Sequence, residues 1–294
     1  MTVNGLLLVD KPKDITSNQV LKKLKKTLEI KKVGIVGILD PLAHGMLPIL
    51  FGEATKLSRY IESYEKEYEV TCKLGSTSST GDEEGKIKSH KNKNLIKLST
   101  ELIRKILKKF LGELSQTPPM FSGLKINGQK LYKLARKGIT IPRNPRKIFI
   151  HDIKLVKYNN FLLQLKITCS KGTYIRTLVE QIGEELSVGA YVKDLRRIRI
   201  GKFKESRLIK LEKIKDKTII KSNYFFDVNN ILSEIDSFIL TNAEEKKIRM
   251  GQAIFRFSVF DNKEITIFNK KNIIGIGIIK NNCIYPKRLL NFNE

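Results

Sequence analysis

Residues 34–48 form an apolar stretch that is interrupted by three glycines and by Pro41 and Pro48. Its one acidic residue is Asp40. Pro41 biases Asp40 toward extended backbone angles, and the glycines permit turns that other residues cannot make. The sequence therefore predicts a tight, structured loop around Asp40. Two interpretations of this carboxylate stay open at this point: a chemical role, or a turn in which it caps backbone amides.

The charge of the chain narrows the class of partner. The 294 residues include 56 Lys and Arg against 30 Asp and Glu, a formal net charge of +26. Such an excess favours a polyanionic partner, most simply a nucleic acid. The abundance of Lys, Ile and Asn is also typical of AT-rich coding, so mutational bias is an alternative source of the charge. The length suits one sizeable core with a small satellite domain.

Cysteine usage and hydropathy argue against a disulfide-rich, a metal-binding and a membrane-spanning protein. Cys72, Cys169 and Cys283 lie far apart, without metal-ligand spacing, and their odd number argues against a disulfide framework. We expect each to behave as a small buried hydrophobe, and we expect no metal or cofactor. The apolar run at residues 6–9 is too short for a signal peptide or a membrane span. A cytoplasmic protein without membrane contact is the resulting expectation.

Hydrophobic periodicity predicts alternating strands and helices over the first 205 residues. The helices begin at Ser17, cover 101–114 and run through 175–186; the strands cover 4–11, 67–74, 148–156, 161–169 and 192–203. Arg176 falls in the first turn of the last helix, where a cation opposes the helix dipole. We therefore expect Arg176 to have a specific anionic partner.

Residues 115–147 break this periodicity. They contain four prolines and eight Lys or Arg residues, interleaved with Phe121 and Tyr132. Basic residues mixed with aromatics suit contact with a folded RNA, whose phosphates and unstacked bases both need partners. An ordinary surface excursion is the alternative.

The composition of the sequence changes again near Leu208, where a Lys- and Asn-rich connector begins. After Ser237 the pattern predicts a helix over 243–250 and strands over 254–259, 264–269, 273–280 and 283–285. This part of the chain is predicted to form a small β-rich domain.

Six segments in this order resemble the bacterial tRNA pseudouridine synthase B family: residues 4–17, 33–56, 66–70, 118–125, 169–178 and 188–197. The resemblance spans nearly the whole chain, and the second and fifth segments are highly specific. The C-terminal part is similar to a PUA domain through residues 275–277 and 285–289, a looser match.

The resemblance implies an α+β fold with a mixed, mainly antiparallel sheet. The catalytic domain would cover residues 1–235, with an RNA-contacting insertion at about 115–147, and a PUA-like RNA-binding domain would cover 236–294. The implied reaction converts uridine to pseudouridine at position 55 in the T loop of tRNA, without metal or cofactor. The implied partner is the T arm of tRNA; no protein partner is implied, and we expect a monomer.

The resemblance also assigns the site residues. Asp40 would be the nucleophile, attacking the extruded uridine or its ribose, and Arg176 would be the cation that favours its ionised form. Tyr68 would stack on the base and help remove the proton from the carbon formed at rejoining. Leu195 would pack against the other face of the base. Lys11 would support the catalytic loop.

The chain departs from the family pattern just before Asp40. Residues 34–37 read Gly-Ile-Val-Gly where the family usually has Gly-His-Thr-Gly. Ile35 cannot donate the hydrogen bond of the usual histidine, which helps hold the extruded nucleotide. His44 stands where threonine is common, either as a partial substitute or as a surface histidine. With Tyr174, these two residues complete the predicted substrate-binding set, and we hypothesise a competent enzyme with weakened nucleotide capture.

Two alternatives compete with a stand-alone enzyme. The first is a tRNA-binding folding helper whose catalytic site is weakened or lost, which the replacement at Ile35 favours and an intact Asp40 opposes. The second is the related RNA-guided class of synthases, which works inside a ribonucleoprotein. The insertion at 115–147 and the lack of extra N-terminal sequence favour the stand-alone type.

Overall fold

The first third of the chain supplies the centre of one large sheet. The computed structural model describes residues 3–90, 98–256 and 261–292. Helices α1 and α2 here are accompanied by a 3-10 helix at Gly52–Leu57. The elements are β1 (Gly5–Lys11), α1 (Ser17–Leu28), β2 (Val33–Ile35), β3 (His44–Phe51), α2 (Ser58–Ser63), β4 (Lys66–Leu74), β5 (Ser76–Ser78) and β6 (Ile87–Ser89).

The middle of the chain widens this sheet and adds the helices that cover it. Its elements are α3 (Thr100–Lys108), β7 (Gly112–Gln116), β8 (Lys125–Ile126), β9 (Gln129–Lys130), α4 (Leu131–Ala135), β10 (Arg146–Asn159), β11 (Leu162–Cys169), α5 (Ile175–Glu185) and β12 (Ala190–Ile200). Shorter elements follow: β13 (Phe203–Lys204), β14 (Ile209–Lys210), β15 (Phe225–Phe226), α6 (Val228–Ile231) and 3-10 turns at Glu205–Arg207, Leu211–Lys213 and Lys217–Lys221.

The large sheet has the strand order β14-β1-β3-β12-β4-β11-β10-β7, with β2, β13 and β15 paired at its side. All these pairs are antiparallel except β12 with β3 and β1 with β14. The mixed, mainly antiparallel sheet that the family resemblance implied is confirmed. Helices α3 and α5 contribute to one core cluster, while α1 packs in another with β1 and β3.

Strand β4 shows why this sheet positions a site. Its residues alternate, so that Lys66, Tyr68, Val70, Cys72 and Leu74 share one buried face. Strand β4 pairs with β12 on one side and with β11 on the other. Any side chain on its buried face is therefore held by neighbours on both edges.

One predicted helix is wrong at its end. The helix predicted over 101–114 ends at Lys108, and Gly112–Gln116 forms β7 instead. Gly112 adopts the left-handed backbone region at φ +90°, which stops helix propagation. Leu114 then pairs with Ile148 of β10, so sheet pairing replaces the helical periodicity.

The C-terminal part builds a separate five-stranded sheet. Its elements are β16 (Ser237–Leu240), α7 (Asn242–Arg249), β17 (Ile254–Phe255), β18 (Glu264–Asn269), β19 (Asn272–Lys280) and β20 (Cys283–Leu289), in the order β16-β18-β19-β20-β17. The predicted β-rich composition is confirmed; residues 257–259 of the strand predicted over 254–259 lie outside the described ranges. Cys72 and Cys169 are buried, but Cys283 is only partly so.

The insertion has little regular secondary structure. Between residues 115 and 147 the structure has the two-stranded pair β8–β9 and the short helix α4.

In the portion of the chain that is described, no helix is both long and apolar enough to cross a membrane.

Candidate active site

A cleft of about 560 Å³ opens over the buried face of β4 and β12. The loop before β3, the insertion and the first turn of α5 form its other walls. Six of the eight predicted site residues line this cleft: Ile35, Asp40, Tyr68, Tyr174, Arg176 and Leu195. A larger cleft of about 940 Å³ lies between the two sheets and is lined by none of the predicted site residues.

The loop that carries Asp40 is held on both sides of the aspartate. The Ser17 hydroxyl accepts from the Leu39 amide and donates to the Leu39 carbonyl, each at 3.0 Å. The Lys11 ammonium donates to the Pro41 carbonyl at 3.0 Å. Because Lys11 is fully buried, burial lowers its pKa to about 8. The tight, structured loop predicted around Asp40 is present, and its backbone is fixed by side chains from β1 and α1.

Arg176 has the anionic partners that the sequence predicted for it. Its guanidinium is 2.9 Å from the Asp40 carboxylate and 3.4 Å from that of Asp82. It also donates to the carbonyls of Thr80 at 2.7 Å and Phe121 at 2.6 Å. Its side chain is only 5% exposed, so these bonds compensate a charge that would be costly to bury alone.

A buried amide fixes the start of α5 and so aims Arg176. The Gln116 side chain accepts from the Tyr174 amide at 2.8 Å and donates to the Tyr174 carbonyl at 3.1 Å. Tyr174 is the N-cap residue of α5 and lacks a side-chain capping bond, and Arg176 follows in the first turn. The end of β7 therefore positions the guanidinium through the backbone of Tyr174.

Asp40 lies deep among protein atoms, yet the cleft leaves its side chain 40% exposed to solvent. Burial raises the pKa of its carboxyl, and the nearby charge of Asp82 adds to this rise. The charges of Arg176 and Lys11 oppose it by favouring the carboxylate. A solvent-accessible carboxylate held against a guanidinium is suited to act as a nucleophile or a base.

Tyr68 and Leu195 come from neighbouring strands. In the β4–β12 ladder Tyr68 pairs with Arg197, and Leu195 pairs with Val70. Tyr68 and Leu195 are 8% and 5% exposed, and both line the cleft. Burial raises the pKa of the Tyr68 hydroxyl, which therefore stays protonated at neutral pH.

Two of the predicted site residues do not line the cleft. Lys11 contacts the loop through its bond to the Pro41 carbonyl. The His44 ring lies 3.3 Å from an Asp194 carboxylate oxygen and 3.0 Å from the Arg196 guanidinium. Its side chain is 19% exposed, and the ring contacts Asp194 and Arg196, which do not line the cleft. Ile35 of β2 does line the cleft.

Three charged residues at this site were not predicted as site residues from the sequence. Asp82 is 2% exposed beside Arg176, and Lys66 and Arg197 are 7% and 2% exposed in the cleft lining. The alternation of β4 is a signal for Lys66, since it places that residue on the same face as Tyr68. In the described ranges no three His, Cys, Asp or Glu side chains gather as a metal site would require.

Comparison with known proteins identifies the family. Residues 25–175 match the model of the TruB family pseudouridylate synthase N-terminal domain. Residues 176–240 match the tRNA pseudouridylate synthase B C-terminal domain, and residues 237–290 match the C-terminal model of pseudouridine synthase II TruB.

Relatives and solved structures extend this finding. The tRNA pseudouridine synthase B of Buchnera aphidicola subsp. Schizaphis graminum is 41% identical, over 98% of this chain and 96% of its own. That of Coxiella burnetii (strain Dugway 5J108-111) is 38% identical over 98% and 95%. A chain of an H/ACA RNP bound to a substrate RNA containing 2′-deoxyuridine has a TM-score of 0.74 at 19% identity, covering 99% of this chain and 86% of that one. A chain of a Cbf5-Nop10-Gar1 complex has a TM-score of 0.72 at 23% identity, covering 95% and 79%. These two likenesses show the fold.

Proposed function

Because the chain belongs to the TruB family of pseudouridine synthases, we propose that it isomerises the uridine at position 55 in the T loop of tRNA, with Asp40 as the nucleophile. Activity as a tRNA pseudouridine synthase follows from the family; the target uridine and the nucleophile are the finer parts of the proposal. The Asp40 carboxylate, held 2.9 Å from buried Arg176 in a cleft beside Tyr68, supports the proposed nucleophile, and the target uridine rests on the resemblance to the family.

Asp40 attacks the extruded uridine or its ribose, the bond between base and sugar breaks, and the base rotates and rejoins through carbon. Only the ionised carboxylate attacks, so Arg176 has to offset the rise in pKa that burial causes. The bonds from Ser17 and Lys11 to the loop keep the carboxylate at one position. Such preorganisation is needed because small displacements of a reacting group are costly in rate.

Extrusion of the base costs a few kcal/mol, which contacts in the cleft have to offset. We assign this part to Tyr68 as a stacking surface and to Leu195 on the adjacent strand. Tyr174, fixed by Gln116, forms the wall next to the insertion. Ile35 occupies the position of the usual histidine without a hydrogen bond to offer. His44 is assigned no contact with the nucleotide, because its ring faces Asp194 and Arg196.

The tRNA surface is proposed to extend over both sheets. We assign residues 1–235 to the catalytic domain and 236–294 to a PUA-like RNA-binding domain, with the insertion at 115–147 over the T arm. Lys125 and Arg146 are exposed residues of the insertion that line the cleft. Neutralised phosphates release counterions, so tRNA binding should weaken steeply with salt concentration. The protein is proposed to act as a monomer without a guide RNA.

The experiment uses an unmodified tRNA transcript, a matched transcript with cytidine at position 55, and an isolated T-arm hairpin. Conversion of position 55 in the tRNA and the hairpin, with no other uridine converted in the cytidine transcript, supports the proposed target. Conversion of a uridine elsewhere would contradict it. Binding to each RNA at several salt concentrations tests the electrostatic part.

A tRNA-binding folding helper is the second candidate, favoured by Ile35 at the position of the usual histidine. The variant Asp40→Ala separates the two functions. An enzyme loses isomerisation with this substitution while it keeps tRNA binding, whereas a helper keeps its whole effect on tRNA folding.

A further inference from the structure

Lys66 and Arg197, which together we call the cation pair, are buried in the lining of the cleft. Among the described residues, neither has a carboxylate oxygen within 4.0 Å. Two buried cations without a paired carboxylate are costly to keep, because burial of charge has to be offset by a nearby opposite charge or by hydrogen bonds.

The cation pair donates to backbone carbonyls, and Arg197 also forms a side-chain hydrogen bond with the Tyr68 hydroxyl. Lys66 donates to the carbonyls of Glu62 and Tyr64, the second at 2.6 Å. Arg197 donates through Nε to the Met46 carbonyl at 2.8 Å and through Nη2 to the Gly37 carbonyl at 2.6 Å. The bonds to carbonyls use two of the three ammonium N–H groups and two of the five guanidinium N–H groups. Donor capacity is left in both side chains.

The strand register places the cation pair beside the residue proposed to stack on the base. Tyr68 pairs directly with Arg197 across the β4–β12 ladder. Lys66 lies two residues before Tyr68 and shares its buried face. The charges of both Arg197 and Asp40 act on the Tyr68 hydroxyl, so Tyr68 stands near both charged groups.

Depth in the cleft indicates which part of a nucleotide the cation pair meets. The exposed cations Lys125 and Arg146 are suited to the phosphates of an RNA backbone that runs along the protein surface. The cation pair is 7% and 2% exposed, so a group that reaches it has to enter the cleft. In an extruded nucleotide that group is the base.

We propose that Lys66 and Arg197 stabilise the negative charge that the uracil ring carries between cleavage and rejoining. This inference rests on the proposed function. When the bond between ribose C1′ and N1 breaks, its electron pair moves onto the pyrimidine and is shared with the carbonyl oxygens. The charge returns to the Asp40 carboxylate when C5 bonds to C1′ and the bond between Asp40 and C1′ breaks; C5 then loses its proton and N1 gains one, so the product is an isomer. Fixed cations in a site that excludes water stabilise such a developing charge strongly.

The titration of Lys66 offers a specific signature. Burial lowers its pKa to about 8, and the charges of Arg197 and Lys171 act in the same direction, whereas Cys169 and Glu62 act in the opposite direction. The ammonium would therefore lose its proton just above neutral pH, and the rate of isomerisation should fall as the pH rises through 8. An arginine at this position would stay charged.

The experiment measures single-turnover isomerisation at saturating tRNA, together with tRNA affinity and the melting temperature. For Lys66→Met we expect a rate lower by about 10²-fold, in line with removal of one electrostatic stabiliser, and a Kd within about twofold of the parent. For Lys66→Arg we expect most of the rate to return and the alkaline decline to move to higher pH. Lys171→Met is the matched control, since it removes a nearby but exposed charge.

A parent protein without isomerase activity would overturn the proposed function itself. An active parent with an equally active Lys66→Met variant would overturn only the cation-pair inference. The same holds if Lys66→Met weakens tRNA binding but keeps its rate, because that result assigns Lys66 to a phosphate. An alkaline decline that is identical in Lys66→Arg and the parent would also contradict the inference.

Discussion

Two clusters of charge at the cleft are built in opposite ways. At the first, which we call the carboxylate site, one guanidinium from Arg176 faces the two carboxylates of Asp40 and Asp82. At the second, the cation pair of Lys66 and Arg197 is bonded to backbone carbonyls. The excess of negative charge at one cluster and of positive charge at the other polarises the cleft. A nucleophile and an acceptor of negative charge are what a cleavage that leaves an anionic base requires.

The largest effect should come from the carboxylate site. We expect Asp40→Asn to lower the isomerisation rate by at least ~10³-fold, because the amide is not a nucleophile. The pKa of Asp40 is raised in the folded protein, so at neutral pH its ionisation lowers stability. The melting temperature of Asp40→Asn at pH 7 should therefore equal or exceed that of the parent. The control is Asp152→Asn, which changes a half-exposed carboxylate that pairs with Lys154 outside the cleft. A fully active Asp40→Asn would remove the comparison altogether.

The second-largest effect is expected at Gly37, which lies in the loop that carries Asp40 and contacts Arg197 of the cation pair. It has φ +64°, and a Cβ placed there would lie 3.2 Å from Nη1 of Arg197. We expect Gly37→Ala to lower the free energy of unfolding by about 1–3 kcal/mol and to lower the isomerisation rate as the loop shifts. Urea unfolding and single-turnover rates measure the two effects. Unchanged stability would show that the loop does not need this left-handed residue.

Asp82→Asn tests the electrostatics of the carboxylate site alone. The charge of Asp82 is one cause of the raised pKa of Asp40, so its removal should lower that pKa. In the proposed mechanism only ionised Asp40 attacks, so the acidic limb of the rate profile should move to lower pH in Asp82→Asn. The pH profile of the single-turnover rate measures this shift. A shift to higher pH would mean that Asp82 acts mainly by holding Arg176.

The smallest effect is expected at Ile35, which lines the cleft and belongs to neither charged cluster. Ile35→His restores the residue that is usual in the family and can donate a hydrogen bond. We expect an apparent substrate constant lower by a few-fold, or a slightly higher rate, on the order of one neutral hydrogen bond. Steady-state kinetics with tRNA measures it, and Ile35→Val serves as the apolar control. No change in either constant would reject weakened nucleotide capture.

The sequence predicted the elements whose evidence is local. The alternation of β4 and the hairpin of β10 and β11 were confirmed, because burial on one face leaves a period of two in the sequence. The anionic partner expected for Arg176 was also confirmed. The helix predicted through 114 was wrong because a single left-handed glycine, Gly112, outweighed apolar periodicity.

The missed residues depend on contacts between distant segments. Lys66 and Arg197 lie 131 positions apart and meet only through the pairing of β4 with β12. The sequence marks each as one lysine or arginine among 56. Burial distinguishes these two from the solvated majority, and burial of a charged residue has no pattern in a single sequence. The contacts of His44 with Asp194 and Arg196 depend on β12 in the same way.

The most direct test of the account is to map pseudouridine at single-nucleotide resolution along an unmodified tRNA transcript. The transcript is incubated with the purified protein, without cofactor or guide RNA, in parallel with Asp40→Asn. The account predicts conversion of the T-loop uridine at position 55 by the parent and none by Asp40→Asn, with equal tRNA binding by both. Equal binding without conversion by the parent, or conversion by Asp40→Asn, would contradict it.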